Sequence, residues 1–265
     1  SPSFHSILES MGITEPTPIQ EKAMPIIQQG GDVACQSSTG SGKTLTFALP
    51  IAEKIDSSSG LQALVLVPTR ELCEQVSEEF KKISKNKKLN IVEVYGGVSI
   101  GNQINKIPRA NIIVATPGRL CDVINRGVIR FDKLKTLVLD EADRMLDMGF
   151  IKDVEFILKN TPKQRQTLMF SATLPKAIEH ILHRHMHNPQ FVKAKEYVDK
   201  GLLKQYYFVV SGHQRFGLLC KLLREEKAPY AIVFCGTRRA VDSVAFNLNK
   251  NGISARAIHG GLTQN

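Results

Sequence analysis

Short apolar, β-branched runs recur along the first 170 residues, and the stretches between them repeat their apolar positions at helical spacing. The runs are "DVACQS" (32–37), "QALVLV" (62–67), "IVEV" (91–94), "NIIVA" (111–115), "TLVLD" (136–140) and "QTLMF" (166–170). Residues 43–56, 70–84, 117–126 and 150–160 carry the helical period. Strand, crossover and strand in repetition predict an α/β domain with a mainly parallel sheet. Wholly apolar strands suit a sheet covered on both faces.

After "HNPQFVKAKEYVDKG" the pattern restarts, with strands expected at 204–210, 230–235 and 254–258 and helices near 213–226 and 238–250. This predicts a first domain over 1–194, a linker at 195–203, and a second α/β domain over 204–265. Three strands of a parallel unit leave edges and faces uncovered, so the second domain reads as truncated.

With 265 residues, 42% of them hydrophobic, the chain can build more than one core, since domains run to about 100–200 residues. The formal net charge of +10 favours a polyanionic partner, nucleic acid or an anionic membrane surface. Cys35, Cys73, Cys121, Cys220 and Cys235 are scattered without a C-x-x-C pair, which argues against a zinc ribbon and for reduced thiols. No apolar stretch reaches the ~18–20 residues of a membrane span, and the start lacks a signal-peptide core. The expectation is a soluble intracellular monomer, cytoplasmic or nuclear, with no membrane partner. The opening "SPSF" without Met suggests a trimmed or processed end.

The candidate chemistry begins after the first strand. "SSTGSGKT" comprises Ser37, Ser38, Thr39, Gly40, Ser41, Gly42, Lys43 and Thr44, and it departs from the phosphate-loop pattern G-x-x-x-x-G-K-[ST] only at Ser37. Gly40 and Gly42 let backbone N–H groups converge on phosphates at a helix N-terminus. Lys43 brings a point charge and Thr44 a hydroxyl for Mg²⁺. "TLVLDEADRM" then sets three acids within four positions after an apolar run, which is costly unless something cationic is held there. Strand ends of a parallel sheet share one edge. Asp140 can therefore hold Mg²⁺ opposite the phosphate loop while Glu141 activates water, leaving Asp143 to hold a neighbouring loop.

"DEAD" together with "SSTGSGKT" resembles the DEAD-box family of RNA helicases. Further signatures follow in the family's order: "GITEPTPIQ" (12–20), "PTREL" (68–72), Gly96-Gly97, "TPGR" (116–119), "SAT" (171–173), and in the second part "IVFC" (232–235) and "HG" (259–260). The resemblance implies RecA-like domains around a cleft that closes on ATP and RNA. It implies that Gln20 reads adenine, and that Ser171, Ala172 and Thr173 couple hydrolysis to strand separation with Asp143. It further implies that Pro68, Thr69, Arg70, Gly96, Gly97, Thr116, Pro117, Gly118 and Arg119 grip an RNA backbone. "TPGR" also reads independently as a capped helix start with charge for a phosphate. Such contacts are salt-dependent and indifferent to sequence.

Two departures qualify the resemblance. Ile13 stands where the family carries an aromatic, so adenine loses a stacking partner, and Phe4 lies too close to Gln20 to replace the family's further aromatic. The family's arginine-bearing "HRxGRxxR" segment is absent, and Arg238 and Arg239 read as a solvated helix start. The expectation is ATP and RNA binding with little hydrolysis by this chain. Rival functions are an ATP-gated RNA clamp and an unrelated P-loop ATPase or DNA translocase. His183 and His187, four apart on an expected helix, form a weak metal pair without a third ligand. The lysines of 81–88 read as a solvated helix end, and Cys35 and Cys235 as small core residues.

Overall fold

The computed structural model describes residues 8–9, 11–37, 40–193, 204–226 and 229–262. Contacts divide the chain into Ser1–Tyr197 and Val198–Asn265; the expected linker, 195–203, lies outside the described residues. The first unit is built on β1 (Val33–Gln36), β2 (Ala63–Leu66), β3 (Ile91–Val94), β4 (Ile112–Ala115), β5 (Thr136–Leu139), β6 (Gln166–Ser171) and β7 (Gln190–Lys193). All pairings are parallel, in the order β3-β4-β2-β5-β6-β1-β7. The helices are α1 (Pro18–Gln28), α2 (Lys43–Lys54), α3 (Arg70–Ile83), α4 (Ile100–Ile104), α5 (Pro117–Asn125), α6 (Ala142–Asp147), α7 (Ile151–Asn160) and α8 (Lys176–His185). The arrangement is the doubly covered parallel sheet that the apolar runs predict.

Alternation along each strand sorts the core into two layers. Leu64, Leu66, Ile113, Leu137, Leu139 and Met169 face one side, where Leu120 and Val123 of α5, Ile157 of α7 and Ile181 of α8 cover them. Ala63, Val65, Ile112, Val114, Val138 and Phe170 face the other, under Ile19 and Ile27 of α1, Phe47 of α2 and Phe80 of α3. Phe47 is central there, with ring centroids 5.2 Å from Phe170 and 6.2 Å from Phe80. Burying one such side chain stabilises the fold by about 1.5–3 kcal/mol. Cys35 is buried in this layer, and burial pushes its thiol up to about 12. Among the described residues no helix is long and apolar enough to cross a membrane.

The strand and helix predictions for the first unit agree with the structure, but β7, α1, α4 and α6 are additional. "QFVK" escapes the apolar-run criterion because only Val192 is buried, the pattern of an edge strand. The lysine run is a solvated helix end with one exception. Lys81 pairs with Glu78 and Glu93, and Lys82 with Glu79, whereas Lys87 Nζ donates to Ala52 O (3.0 Å) at the C-terminal end of α2. There it compensates that helix's dipole.

The second unit contains α9 (Arg215–Glu225) and α10 (Arg238–Lys250), the latter capped by Thr237 Oγ1, which accepts from Ala240 N–H at 3.1 Å. The strands expected at 204–210, 230–235 and 254–258 are corrected: no described residue there is paired in a sheet. Tyr207, Val209, Ile232 and Phe234 are exposed instead. β-propensity expresses fit to a pleated, half-buried surface, and these segments lack the neighbours that would provide one. Cys235 is half-buried rather than core. The histidine pair is corrected too. Helix α8 ends at His185, so His187 is not on it; its N–H donates to Asp32 Oδ2 at 2.7 Å.

Candidate nucleotide and nucleic-acid site

Six of the motif loops leave the same edge of the sheet, where the strands end. The order across that edge follows the strand order: Gly96-Gly97 after β3, "TPGR" after β4, "PTREL" after β2, "DEAD" after β5, "SAT" after β6 and the phosphate loop after β1. The expected phosphate-gripping loops thus occupy one half and the expected nucleotide loops the other.

The phosphate loop is braced from below. Ser37 N–H donates to Ser171 O (3.0 Å), tying the loop to the end of β6. Gly40 and Gly42 hold φ of 77° and 87°, the left-handed region where glycine is favoured. A Cβ on Gly42 would also lie 2.6 Å from Gln20 Nε2. Gln20 is buried: its Nε2 donates to Gly42 O (3.2 Å) and its Oε1 accepts from Thr17 N–H (2.9 Å), while Thr17 Oγ1 donates to Ser41 O (2.9 Å). The Gln20–Thr17 bond belongs to a capping box that starts α1.

Lys43 opens α2 and is buried, yet among the described residues its ammonium makes only a 3.3 Å bond to Ser37 O. Ser37 Oγ is buried without a partner among the described residues. Asp140, 2% exposed, donates its N–H to Leu66 O (2.9 Å) and accepts Glu141 N–H on Oδ1 (3.0 Å). Burial pushes its carboxyl up to about 6, against the opposing pull of Lys43. Glu141 has φ of 51°, a strained setting for a non-glycine residue, and its Oε2 pairs with Arg144 Nη1 at 3.1 Å. Gly40, Gly42, Lys43, Thr44, Asp140 and Glu141 line one cleft of about 890 Å³, with Leu72 and Gln75 of α3 on the far side. Ser38 and Thr39 lie outside the described residues. Ile13 is half-buried, with its N–H on Leu8 O (2.9 Å), and neither it nor Gln20 is among the residues lining this cleft.

Asp143 and "SAT" meet directly. Asp143 Oδ2 accepts Thr173 N–H (2.8 Å) and Thr173 Oγ1–H (3.0 Å), and Ser171 Oγ accepts Asp143 N–H (3.1 Å) while donating to Thr173 O (2.7 Å). Burial raises the Asp143 carboxyl, but the bonds from Thr173 and Ser171 outweigh it and hold it below the ordinary range. Ala172 O accepts Gln36 Nε2 at 3.1 Å.

On the other half, Pro68 is buried and Thr69 Oγ1 caps α3 by accepting Leu72 N–H (3.2 Å). Arg70 Nε donates to Glu74 Oε1 (3.0 Å), and its guanidinium lies 5.0 Å over the Tyr95 ring. Tyr95 O–H donates to the same Glu74 oxygen at 2.8 Å. Gly96 and Gly97 are exposed, Gly97 at φ 85°. Thr116 is at the N-cap of α5 with Pro117 first in the helix, but the Thr116 hydroxyl makes no cap bond. Gly118 and Arg119 follow, half-buried; Arg119 Nη1 and Nη2 donate to Val98 O (3.1 Å each), and Nη1 also to Gln103 Oε1 (3.2 Å).

Sequence reasoning missed Glu74, Tyr95, Gln103, Thr17 and Arg144. Three had a local signal: Arg70 and Glu74 stand at i,i+4 and Glu141 and Arg144 at i,i+3, and Thr17-x-x-Gln20 before an apolar run is a capping-box pattern. Tyr95 and Gln103 join through the fold and had none.

The family model described as DEAD/DEAH box helicase matches residues 17–181, more than half of the chain. The chain belongs to this family. Among curated relatives it is 46% identical over 260 residues to the DEAD-box ATP-dependent RNA helicase CshA of Geobacillus kaustophilus, covering 97% of this chain and 56% of that protein. It is 47% identical over 258 residues to the ATP-dependent RNA helicase CshA of Listeria monocytogenes, covering 96% and 49%. The chain therefore spans about half the length of the curated relatives it matches. The crystal structure of a DEAD box protein from the hyperthermophile Methanococcus jannaschii aligns with TM-score 0.72 and 41% identity, covering 100% of this chain and 72% of that one. The RecA-like parallel sheet is thus the DEAD-box fold, and the nucleotide and backbone motifs are read within that family.

Proposed function

We propose that the chain acts within an ATP-dependent RNA helicase, with 1–194 as its N-terminal RecA-like domain and 204–265 as part of the second. One observation carries the reading: Lys43, Thr44, Asp140 and Glu141 line a single cleft while Asp143 is bonded to the "SAT" loop.

In this reading the backbone of Gly40 and Gly42 cradles phosphates and Lys43 exchanges its long bond to Ser37 O for phosphate oxygens. The orphaned Ser37 Oγ and the glycine cradle fit a phosphate group. Thr44 and Asp140 hold Mg²⁺, and the raised carboxyl of a buried Asp140 beside Glu141 fits a cation there. Mg²⁺ supplies charge neutralisation to the transferred phosphoryl group. It is commonly held by one or two carboxylates plus phosphates, so the lack of a three-ligand cluster among the described residues does not count against it. Glu141 accepts a proton from the attacking water once its carboxylate leaves Arg144. Among the described residues Gln20 Nε2 donates only to Gly42 O, which leaves an amide N–H and supports its reading of adenine. The bonds of Asp143 to Thr173 transmit a change at the carboxylates to the "SAT" loop.

RNA is the partner, met through phosphate and sugar by Arg70, Arg119 and the Gly96-Gly97 loop, with affinity that falls as salt rises. Scattered thiols support an intracellular setting, and the bacterial relatives lend nothing to a nuclear one. The test is nucleotide affinity, turnover and single-stranded RNA affinity of this chain beside Lys43→Ala. The reading predicts ATP binding that Lys43→Ala removes and RNA binding that it spares. Equal binding of GTP, or of DNA and RNA, contradicts it. In the full-length protein, RNA retention with an ATP analogue but no duplex separation makes it a clamp.

A further inference from the structure

We infer that Gln103 is a positioning residue for the RNA-gripping surface, fixing the Gly96-Gly97 loop between Arg70 and Arg119. The inference rests on the RNA reading above. The loop cannot fix its own shape: Gly96 and Gly97 have no side chains, and a Cβ at either would touch nothing within 4 Å. Among the described residues, no partner takes the N–H groups of Gly96, Gly97 or Val98. Consecutive free N–H groups of this kind form an anion-binding concavity only when their backbone is held in place.

Both ends of the loop are held, and Gln103 is common to both. Its Nε2 donates to Tyr95 O (3.0 Å) on the incoming side. Its Oε1 accepts from Arg119 Nη1 (3.2 Å), and Arg119 in turn holds Val98 O on the outgoing side. Tyr95 continues the chain of bonds through Glu74 to Arg70. Three loops from three different strands are therefore linked, and Gln103, at 8% exposure, is the buried junction. A buried amide that merely satisfied its own core would not need to orient a charged side chain belonging to another motif. Among the described residues Arg119 Nε makes no hydrogen bond and is left for a phosphate.

The test is the affinity of this chain for a labelled single-stranded oligouridylate at low salt, beside its affinity for a non-hydrolysable ATP analogue. Gln103→Met keeps the shape and removes both bonds. It is expected to weaken RNA binding about tenfold, the scale of a lost hydrogen bond to a charged group, with analogue affinity unchanged. Gln103→Glu keeps the acceptor for Arg119 and loses the donor to Tyr95 O; it should weaken RNA binding less, and it serves if the Met variant folds poorly. Combined with Arg119→Ala, Gln103→Met should cost less than it does alone, because the bond between the two is already lost and only the one to Tyr95 O remains. Wild-type RNA affinity in both Gln103 variants, or strictly multiplicative losses in the double variant, overturns the inference while the RNA reading stands. No RNA binding by the unaltered chain overturns both.

Discussion

The two halves of the sheet's edge are built on opposite terms. On the β1, β5 and β6 side the reactive groups are short of partners among the described residues: Lys43 has one long bond there, Ser37 Oγ has none, and Asp140 is a buried carboxyl pushed up to about 6. On the β2, β3 and β4 side the arginines are already engaged by Glu74, Gln103 and Val98 O, and free backbone N–H groups do the waiting. The first half carries an electrostatic cost that a ligand relieves. The second has its shape fixed beforehand, so a flexible, sequence-indifferent polymer can be met by a rigid surface. Small, highly charged ligands suit the one; a repeating backbone suits the other.

Substitutions can break this division or sharpen it. Phe47→Ala removes the ring that packs on Phe80 and Phe170 under both halves; unfolding should become easier by about 3–5 kcal/mol, measured by denaturant titration, with both affinities lost together on mild heating. Lys43→Ala should cost about 10–100-fold in ATP affinity and leave RNA affinity in the absence of nucleotide unchanged, read by calorimetry and anisotropy. Asp143→Ala frees Thr173; a stability loss of about 1–3 kcal/mol is expected, with nucleotide still bound and any RNA effect on nucleotide affinity diminished. At the small end, Lys81→Ala removes surface pairs with Glu78 and Glu93 and should change stability by less than about 1 kcal/mol and neither affinity.

Much of the first unit was legible from local pattern. Short apolar, β-branched runs marked β1 to β6, most of them buried on both faces and the edge strand β3 on one, and six motif loops follow these strands, which placed them at one edge. The edge strand β7 was not legible, since burial of Val192 alone leaves no run. In the second unit, runs such as "YAIVFC" carry β-propensity without pairing in the described residues; propensity reports what a segment can do beside a neighbour, and a single sequence does not say whether one is there. At the site, the residues that face a ligand were legible from their types and spacing, whereas those that hold them were not. Gln103 touches Tyr95 and Arg119 only through the fold. His187 lies past the end of α8 at His185, which the sequence marks by Asn188 and Pro189 just beyond it.

The division of the edge into separable halves is tested by measuring ATP-analogue and RNA affinities for the unaltered chain, Lys43→Ala and Arg119→Ala. A crossed result is expected: Lys43→Ala loses the nucleotide and keeps RNA, and Arg119→Ala loses RNA and keeps the nucleotide. Both affinities falling together in either folded variant would contradict it.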